Sequence, residues 1–437
     1  MSQQFSESYK VRPAFAPGNP APNLRISVPG SKSITNRALL LAALSDGNRE
    51  TTLDGILLSD DSRHFIHCLR DLGFLTFLQE EIQRIKIGGC DGRLPRQSAE
   101  IYVGSAGTAA RFLTAMLGLA GGSYRLDASA QMRRRPMKPL LTALESLGCT
   151  VSYEEEEGHF PFTLSSEGLS EGEVTVNIDD SSQFLSALMM ASVLTHRDFT
   201  IHIEGSHGFS YVEMTAEMMR RFGAQIIRED ERTFRIPAFG SYRSGHYMIE
   251  PDVSAACYFY AMAAISGGRA LVYDVHRDSL QGDIAFLDLL CRMGCRCVEM
   301  REGILLTGPE DGCLHGVDAD MHAFSDQALT LAAIAPFADS PVTIRGISHI
   351  RLQECDRIEA ILENLRRMGI KAECSEEDVL TIFPGAPKSA EIETFGDHRV
   401  AMSFAVTGTR APGITILDPL CCRKTFEGYF DLLDQIS

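Results

Sequence analysis

The chain is 437 residues long, 44% hydrophobic and 23% charged, with a formal net charge of -17. That length exceeds one ordinary core and predicts two or three domains. The negative charge argues against nucleic acid, which demands a broad basic surface, and against an anionic membrane surface. No apolar run approaches the roughly eighteen residues a membrane-spanning helix needs.

The first 23 residues, MSQQFSESYKVRPAFAPGNPAPN, have neither the apolar core nor the cleavage pattern of a secretory signal. Rich in Pro, Gly, Ser and Gln, they read as a flexible or extended lead-in. From there a helix type recurs that is apolar almost all round after a polar start: SITNRALLLAAL, GTAARFLTAMLGLAGG, SSQFLSALMMASVL, VSAACYFYAMAAISGG, SDQALTLAAIAPFA and GDHRVAMSFAVTG. Anchored at Ser33, Thr108, Ser182, Ser254, Asp326 and Asp397, these copies recur every 71 to 75 residues. A helix apolar on every face is a buried one.

Between them runs an amphipathic type that ends in glycine: FIHCLRDLG, LLTALESLG, TAEMMRRFG, FLDLLCRMG and ILENLRRMG. Gly73, Gly148, Gly223, Gly294 and Gly369 supply the left-handed cap that stops such helices. Short strand-like runs follow, and a sixth copy, FEGYFDLLDQIS, lies at the C-terminus. The predicted fold class is therefore α/β (α+β): six repeats of about 72 residues. Three plus three is their natural division, giving two similar domains with a ligand cleft between them. The twelve cysteines form no C-x-x-C pair. Cys291, Cys295 and Cys297, like Cys421 and Cys422, read as small buried residues of a reducing cytoplasm rather than metal ligands.

Chemistry collects at the helix heads. Lys32, Arg37, Arg111, Arg135, Arg357, Arg399 and Lys424 stand at or near predicted helix starts, Arg135 just ahead of Pro136, a good first helical residue. Ser31, Ser33, Thr108, Ser181, Ser182 and Gln183 accompany them. Helix N-termini already attract anions, so adding cations and hydroxyls makes a receptor for phosphate and carboxylate. One such head is ordinarily a capped helix with a solvated charge; seven in a chain this acidic point to a compact, multiply anionic ligand or two. Gly107 in GSAGTA lets backbone approach such a ligand. The Walker pattern GxxxxGK[ST] is absent. Among the cations stand Asp326, Glu354 and Asp356. Asp326 reads equally as an N-cap or a proton-transfer group, and Asp356 as an N-cap.

The ordered stretches PGSKSITNRALLLAAL, GSAGTAARFLTA, RRRPMKPLLTAL, DSSQFLSALMMAS, SLQGDIAFLDLLCRMG, ECDRI, FGDHRVAM and RKTFEGYF resemble the enolpyruvyl transferases, over nearly the whole chain from Leu24. The likeness is greatest to the branch whose acceptor is shikimate 3-phosphate. It implies an inverse-barrel fold of two domains, each with three repeats of parallel buried helices ringed by sheets. Residues 1–30 plus 250–437 would form one and residues 31–249 the other. It also implies transfer of the enolpyruvyl group of phosphoenolpyruvate to the 5-hydroxyl of shikimate 3-phosphate, in aromatic amino acid biosynthesis, by a cytoplasmic monomer without metal or cofactor.

By that resemblance Lys32, Gly107, Arg135, Gln183, Arg357, Arg399 and Lys424 would surround phosphoenolpyruvate. Lys32, Ser33, Arg37, Ser181, Ser182, Gln183, Tyr211, Asp326, His349 and Gln353 would hold shikimate 3-phosphate. Asp326 would accept the hydroxyl proton, and Glu354 or Lys32 would protonate the methylene carbon. The chain departs from the family pattern where RLQECDR puts Gln353 in place of a lysine, leaving Arg351 or another cation to compensate. HGFSYVEM leaves the phosphate-binding serine near 206–210 unassigned, His349 stands where Asn is common, and Phe112 replaces a proline. Retained Gly107 implies sensitivity to glyphosate. Two alternatives are a transferase acting on UDP-N-acetylglucosamine and a non-catalytic anion-binding relative. The first calls for a reactive cysteine in YRLDASAQMRRRPMKP, which contains none. Gln353 is the main support for the second.

Overall fold

In the computed structural model, residues 7–167, 171–205 and 208–436 are described. The chain divides into two compact units: Gly30–Ile249, and Met1–Pro29 together with Glu250–Ser437. The fold class is α/β.

The Gly30–Ile249 unit contains helices α1 (Lys32–Ala43), α2 (Asp60–Asp71), α3 (Gly107–Ala120), α4 (Ala130–Arg133), α5 (Lys138–Ser146), α6 (Gln183–Ala191) and α7 (Phe209–Arg221). The other unit contains α8 (Val253–Ser266), α9 (Ala285–Arg292), α10 (Ala328–Ile334), α11 (Arg357–Arg367), α12 (His398–Arg410) and α13 (Tyr429–Ile436). The six apolar helices are α1, α3, α6, α8, α10 and α12. Leu39, Leu40 and Leu41 on successive faces of α1 are all fully buried, each worth about 1.5–3 kcal/mol of transfer free energy. Small residues set the packing distance: a Cβ on Gly118 of α3 would stand 2.8 Å from a methyl carbon of Leu144 on α5. The five amphipathic helices α2, α5, α7, α9 and α11 each stop at the glycine read from the sequence, with φ between 71° and 102°, a region where a side chain is strained.

Among the described residues five sheets of four strands share one pattern, and a sixth has three, Ile414–Leu417 lying parallel to Ala390–Ile392 and antiparallel to Ser8–Lys10. In residues 98–102, 122–127, 162–166 and 150–153, the first two strands are parallel and the remaining pairings antiparallel. A buried helix, here α3, makes the crossover between the parallel pair. The first repeat of each unit borrows its parallel strand. Residues 246–248 complete the sheet of 50–54, and residues 23–26 complete that of 269–273. This exchange explains why one unit is discontinuous in sequence.

Of the two readings of the lead-in, the extended one holds. Ser8–Lys10 is a strand antiparallel to Ile414–Leu417, and Tyr9, Val11 and Phe15 are buried. Three apolar anchors outweigh a composition that otherwise reads as linker. Pro136 departs from its expected place: α5 begins at Lys138, with Pro139 in its first turn.

Candidate active site

In the Gly30–Ile249 unit the cations surround the heads of α1, α3 and α6. The Ser31 hydroxyl caps α1 by accepting from the Ile34 amide. Lys32 Nζ pairs with Asp61 Oδ2 at 2.6 Å. Arg37, 1% exposed, donates to Thr215 Oγ1 (2.7 Å), the Ser33 carbonyl (3.0 Å) and the Tyr211 carbonyl (3.3 Å). Its guanidinium also lies 5.4 Å from the Phe112 ring centroid, so Phe112 is part of the floor beneath it. These partners are neutral, and burial pushes the Arg37 pKa down to about 10.

Arg111 is in the same situation. It is buried and donates to the Gly107 carbonyl, the Pro136 carbonyl and Gln183 Oε1 at 3.2–3.3 Å. Its Nε has no hydrogen-bond partner among the described residues. Burial first, then the nearby Arg135 charge, pulls its pKa well below the usual value. A Cβ on Gly107 would stand 2.5 Å from Arg135 Nη1 and 2.8 Å from Arg111 Nη1. Only glycine lets both guanidiniums close over that backbone. Ser181 Oγ accepts from the Gln183 amide at 3.3 Å, and Ser182 is buried at the head of α6. Tyr211 lies in the first turn of α7 with its ring 6.0 Å from the Arg37 guanidinium. Ser206 and His207 lie outside the described residues. Buried guanidinium with only neutral acceptors is costly, and an incoming anion relieves that cost.

The second unit assembles a lattice of opposite charges at the heads of α10, α11 and α12. Asp326 Oδ1 pairs with Arg357 Nη1 at 2.9 Å and its Oδ2 with Arg399 Nη2 at 2.8 Å. It lies in the short turn His322–Gln327, two residues before α10. Asp356 caps α11, accepting from the Glu359 amide, and Asp397 caps α12. Arg357 also meets fully buried Asp397 at 2.8 Å. Burial opposes the Arg357 charge, but Asp397 and Asp326 prevail and raise its pKa. Glu354 Oε2 lies 3.3 Å from Lys424 Nζ and 3.0 Å from His398 Nδ1.

His349 is buried with Nε2 2.7 Å from Ser325 Oγ. Gln353 is half-buried. Arg351 is not available to compensate for it, because Asp378 and Asp356 hold the guanidinium at 2.7–2.8 Å. Glu354, Asp397 and His398 could hold a metal ion by proximity, their ligand atoms lying within 4.8 Å of one another. Lys424 and Arg357 already neutralise the two carboxylates. Cys149 is buried, its Sγ donates to the Gly118 carbonyl, and burial pushes its thiol pKa up to about 11.

Sequence reasoning singled out the cations and missed Asp61, Asp283, Asp397 and His398. SDDSRH and GDHRV displayed three of these as helix-head acids or a histidine, but partners 29 to 44 residues away are what give them meaning.

Helix heads that gather arginine, lysine and carboxylate on a repeat-built α/β frame define an enzyme for small, multiply anionic substrates. The chain belongs to the EPSP synthase family (3-phosphoshikimate 1-carboxyvinyltransferase), which it matches over residues 22–433. It is 45% identical over 412 residues to the 3-phosphoshikimate 1-carboxyvinyltransferase of Nostoc punctiforme, covering 94% of this chain and 96% of that protein. The Serratia proteamaculans protein of the same name is 40% identical over 418 residues, covering 95% and 96%. The fold is similar to that of EPSP synthase from Acinetobacter baumannii, with a TM-score of 0.80 at 23% identity and 98% of both chains covered. No helix among the described residues is long and apolar enough to cross a membrane.

Proposed function

We propose that the protein transfers the enolpyruvyl group of phosphoenolpyruvate to the 5-hydroxyl of shikimate 3-phosphate and releases phosphate. Membership of the family across nearly the whole chain carries this reading. Lys32, Gly107, Arg135, Gln183, Arg357, Arg399 and Lys424 serve phosphoenolpyruvate. Ser33, Arg37, Ser181, Ser182, Gln183, Tyr211, His349 and Gln353 serve shikimate 3-phosphate, with Lys32 and Asp326 beside them. The protein is a cytoplasmic monomer in this reading.

The hydroxyl oxygen attacks C2 of phosphoenolpyruvate and its proton passes to Asp326. The methylene carbon C3 takes a proton from Glu354 or Lys32, giving a tetrahedral adduct. Loss of a C3 proton then breaks the C2–O bond to phosphate and restores the double bond. Asp326 is engaged by two guanidiniums before substrate arrives. A substrate carboxylate or phosphate competing for Arg357 and Arg399 frees Asp326 to accept a proton. Positioning and fixed charge supply most of the rate.

Phosphate release with phosphoenolpyruvate plus shikimate 3-phosphate, and none when UDP-N-acetylglucosamine replaces the latter, is the expected result. Release only with the nucleotide sugar would overturn the proposal. Binding without turnover would leave an anion-binding relative.

A further inference from the structure

Behind Asp326 the same unit buries a carboxylate that the reaction steps above do not use. Asp283 lies in the one-turn segment Gly282–Ile284 before α9 and is 4% exposed. Its Oδ2 accepts from Ser254 Oγ at 3.0 Å, and its Oδ1 accepts from Gln327 Nε2 at 3.0 Å. Gln327 is fully buried and follows Asp326 in the chain. Its Oε1 accepts from the Thr330 hydroxyl at 3.0 Å. One hydrogen-bonded path therefore joins the first turn of α8, the turn before α9 and the segment that presents Asp326.

That segment needs outside support. It contains Phe324 in a non-helical conformation (φ -143°, ψ 44°), and α10 after it has no side-chain cap. On one side of Asp326, Ser325 is held by His349; on the other, Gln327 is held by Asp283. The groups that set the charge of Asp283 come from every surrounding element. Burial raises its pKa most and the Asp326 charge adds to this, bringing it to about 6. Arg399 and the Gln327 hydrogen bond pull the other way, and Asp252 adds a further upward push. Cys257 Sγ lies 3.8 Å from its carbonyl oxygen.

We propose that Asp283 is a positioning residue for the transfer: through Gln327 it fixes the turn that presents Asp326, and its negative charge makes Asp326 a stronger base. This rests on Asp326 as the proton acceptor. Two interacting carboxylates of this kind take up protons as a pair.

Asp283→Asn preserves the shape and can keep both hydrogen bonds while removing the charge. Its kcat should fall by about twofold to threefold as the base weakens, with both KM values little changed. The acid limb of its pH profile should move down by about half a unit, because a like charge beside Asp326 is gone. Gln327→Ala should lower kcat without moving that limb, since the charge stays. An Asp283→Asn enzyme with wild-type kcat and a superimposable acid limb would overturn the proposal. If that variant does not fold, carboxyl 13C titration of the wild type and of Asp326→Asn decides. Asp283 should titrate at lower pH in the variant, and identical curves overturn the proposal. Full turnover by Asp326→Asn would instead remove Asp326 as the base and leave the titration result standing.

Discussion

The arginines at the helix heads of the two units share a setting in sequence and differ in surroundings. Arg37 and Arg111 are buried among carbonyls, hydroxyls and an amide. Arg357 and Arg399 meet Asp326, and Arg357 meets Asp397 as well. The first arrangement gives the guanidiniums only neutral hydrogen-bond partners, which suits them to an incoming anion. The second stores its charge in pairs that a substrate must rearrange, which suits proton transfer. One repeat architecture, used in both units, yields buried arginines with neutral partners in one and arginines paired with carboxylates in the other.

The sharpest way to break this comparison is Asp326→Asn. Losing a general base costs about 10²–10⁴-fold, so kcat for phosphate release should fall in that range. A loss below threefold would show that Asp326 is only a counter-ion. Stability offers the next test. Arg357→Met leaves Asp397 buried without its partner, at a cost of about 3–5 kcal/mol. Arg37→Met removes a buried cation that no carboxylate balances, so denaturant unfolding should show its stability equal to or above wild type while shikimate 3-phosphate binding is lost. Equal destabilisation by the two substitutions would erase the distinction drawn here.

A smaller effect sharpens the same contrast. Gln353→Lys should tighten shikimate 3-phosphate about tenfold, as one charge-assisted hydrogen bond of roughly 1.5 kcal/mol permits, because Arg351 is committed elsewhere. Unchanged affinity by calorimetry would refute it. The pH dependence of stability is the smallest signal. Asp283 has its folded pKa raised to about 6, above the unfolded value near ~3.9. Its contribution is therefore complete below the unfolded value and lost as pH rises through about 6. Relative to wild type, Asp283→Asn should gain melting temperature between about pH 4 and about pH 6, and parallel profiles would exclude that linkage. Inhibition by millimolar glyphosate is expected from Gly107, whose backbone lies against Arg111 and Arg135. An enzyme unaffected at that concentration would show that Phe112, packed under Arg37, has altered the site.

Much was legible in the sequence because it depends on local periodicity. The six apolar helices, the glycine stops after α2, α5, α7, α9 and α11, and the cations at the heads all follow from composition at 3.6-residue spacing. The N-terminal lead-in was legible as extended, but its packing was not, because Tyr9, Val11 and Phe15 are only three scattered apolar residues. They acquire meaning only beside the strand 414–417 and helix α13, where the Tyr9 hydroxyl meets Asp434 at 2.5 Å.

By itself the sequence determined the repeat, its buried helices and the surplus of cations at their starts, since those are properties of neighbours along the chain. Only the tertiary structure decided which strand completes each first repeat and which arginines find a carboxylate. Each depends on groups brought together across tens to hundreds of residues. Burial then magnifies the difference between a paired charge and an unpaired one, because little solvent remains to screen either.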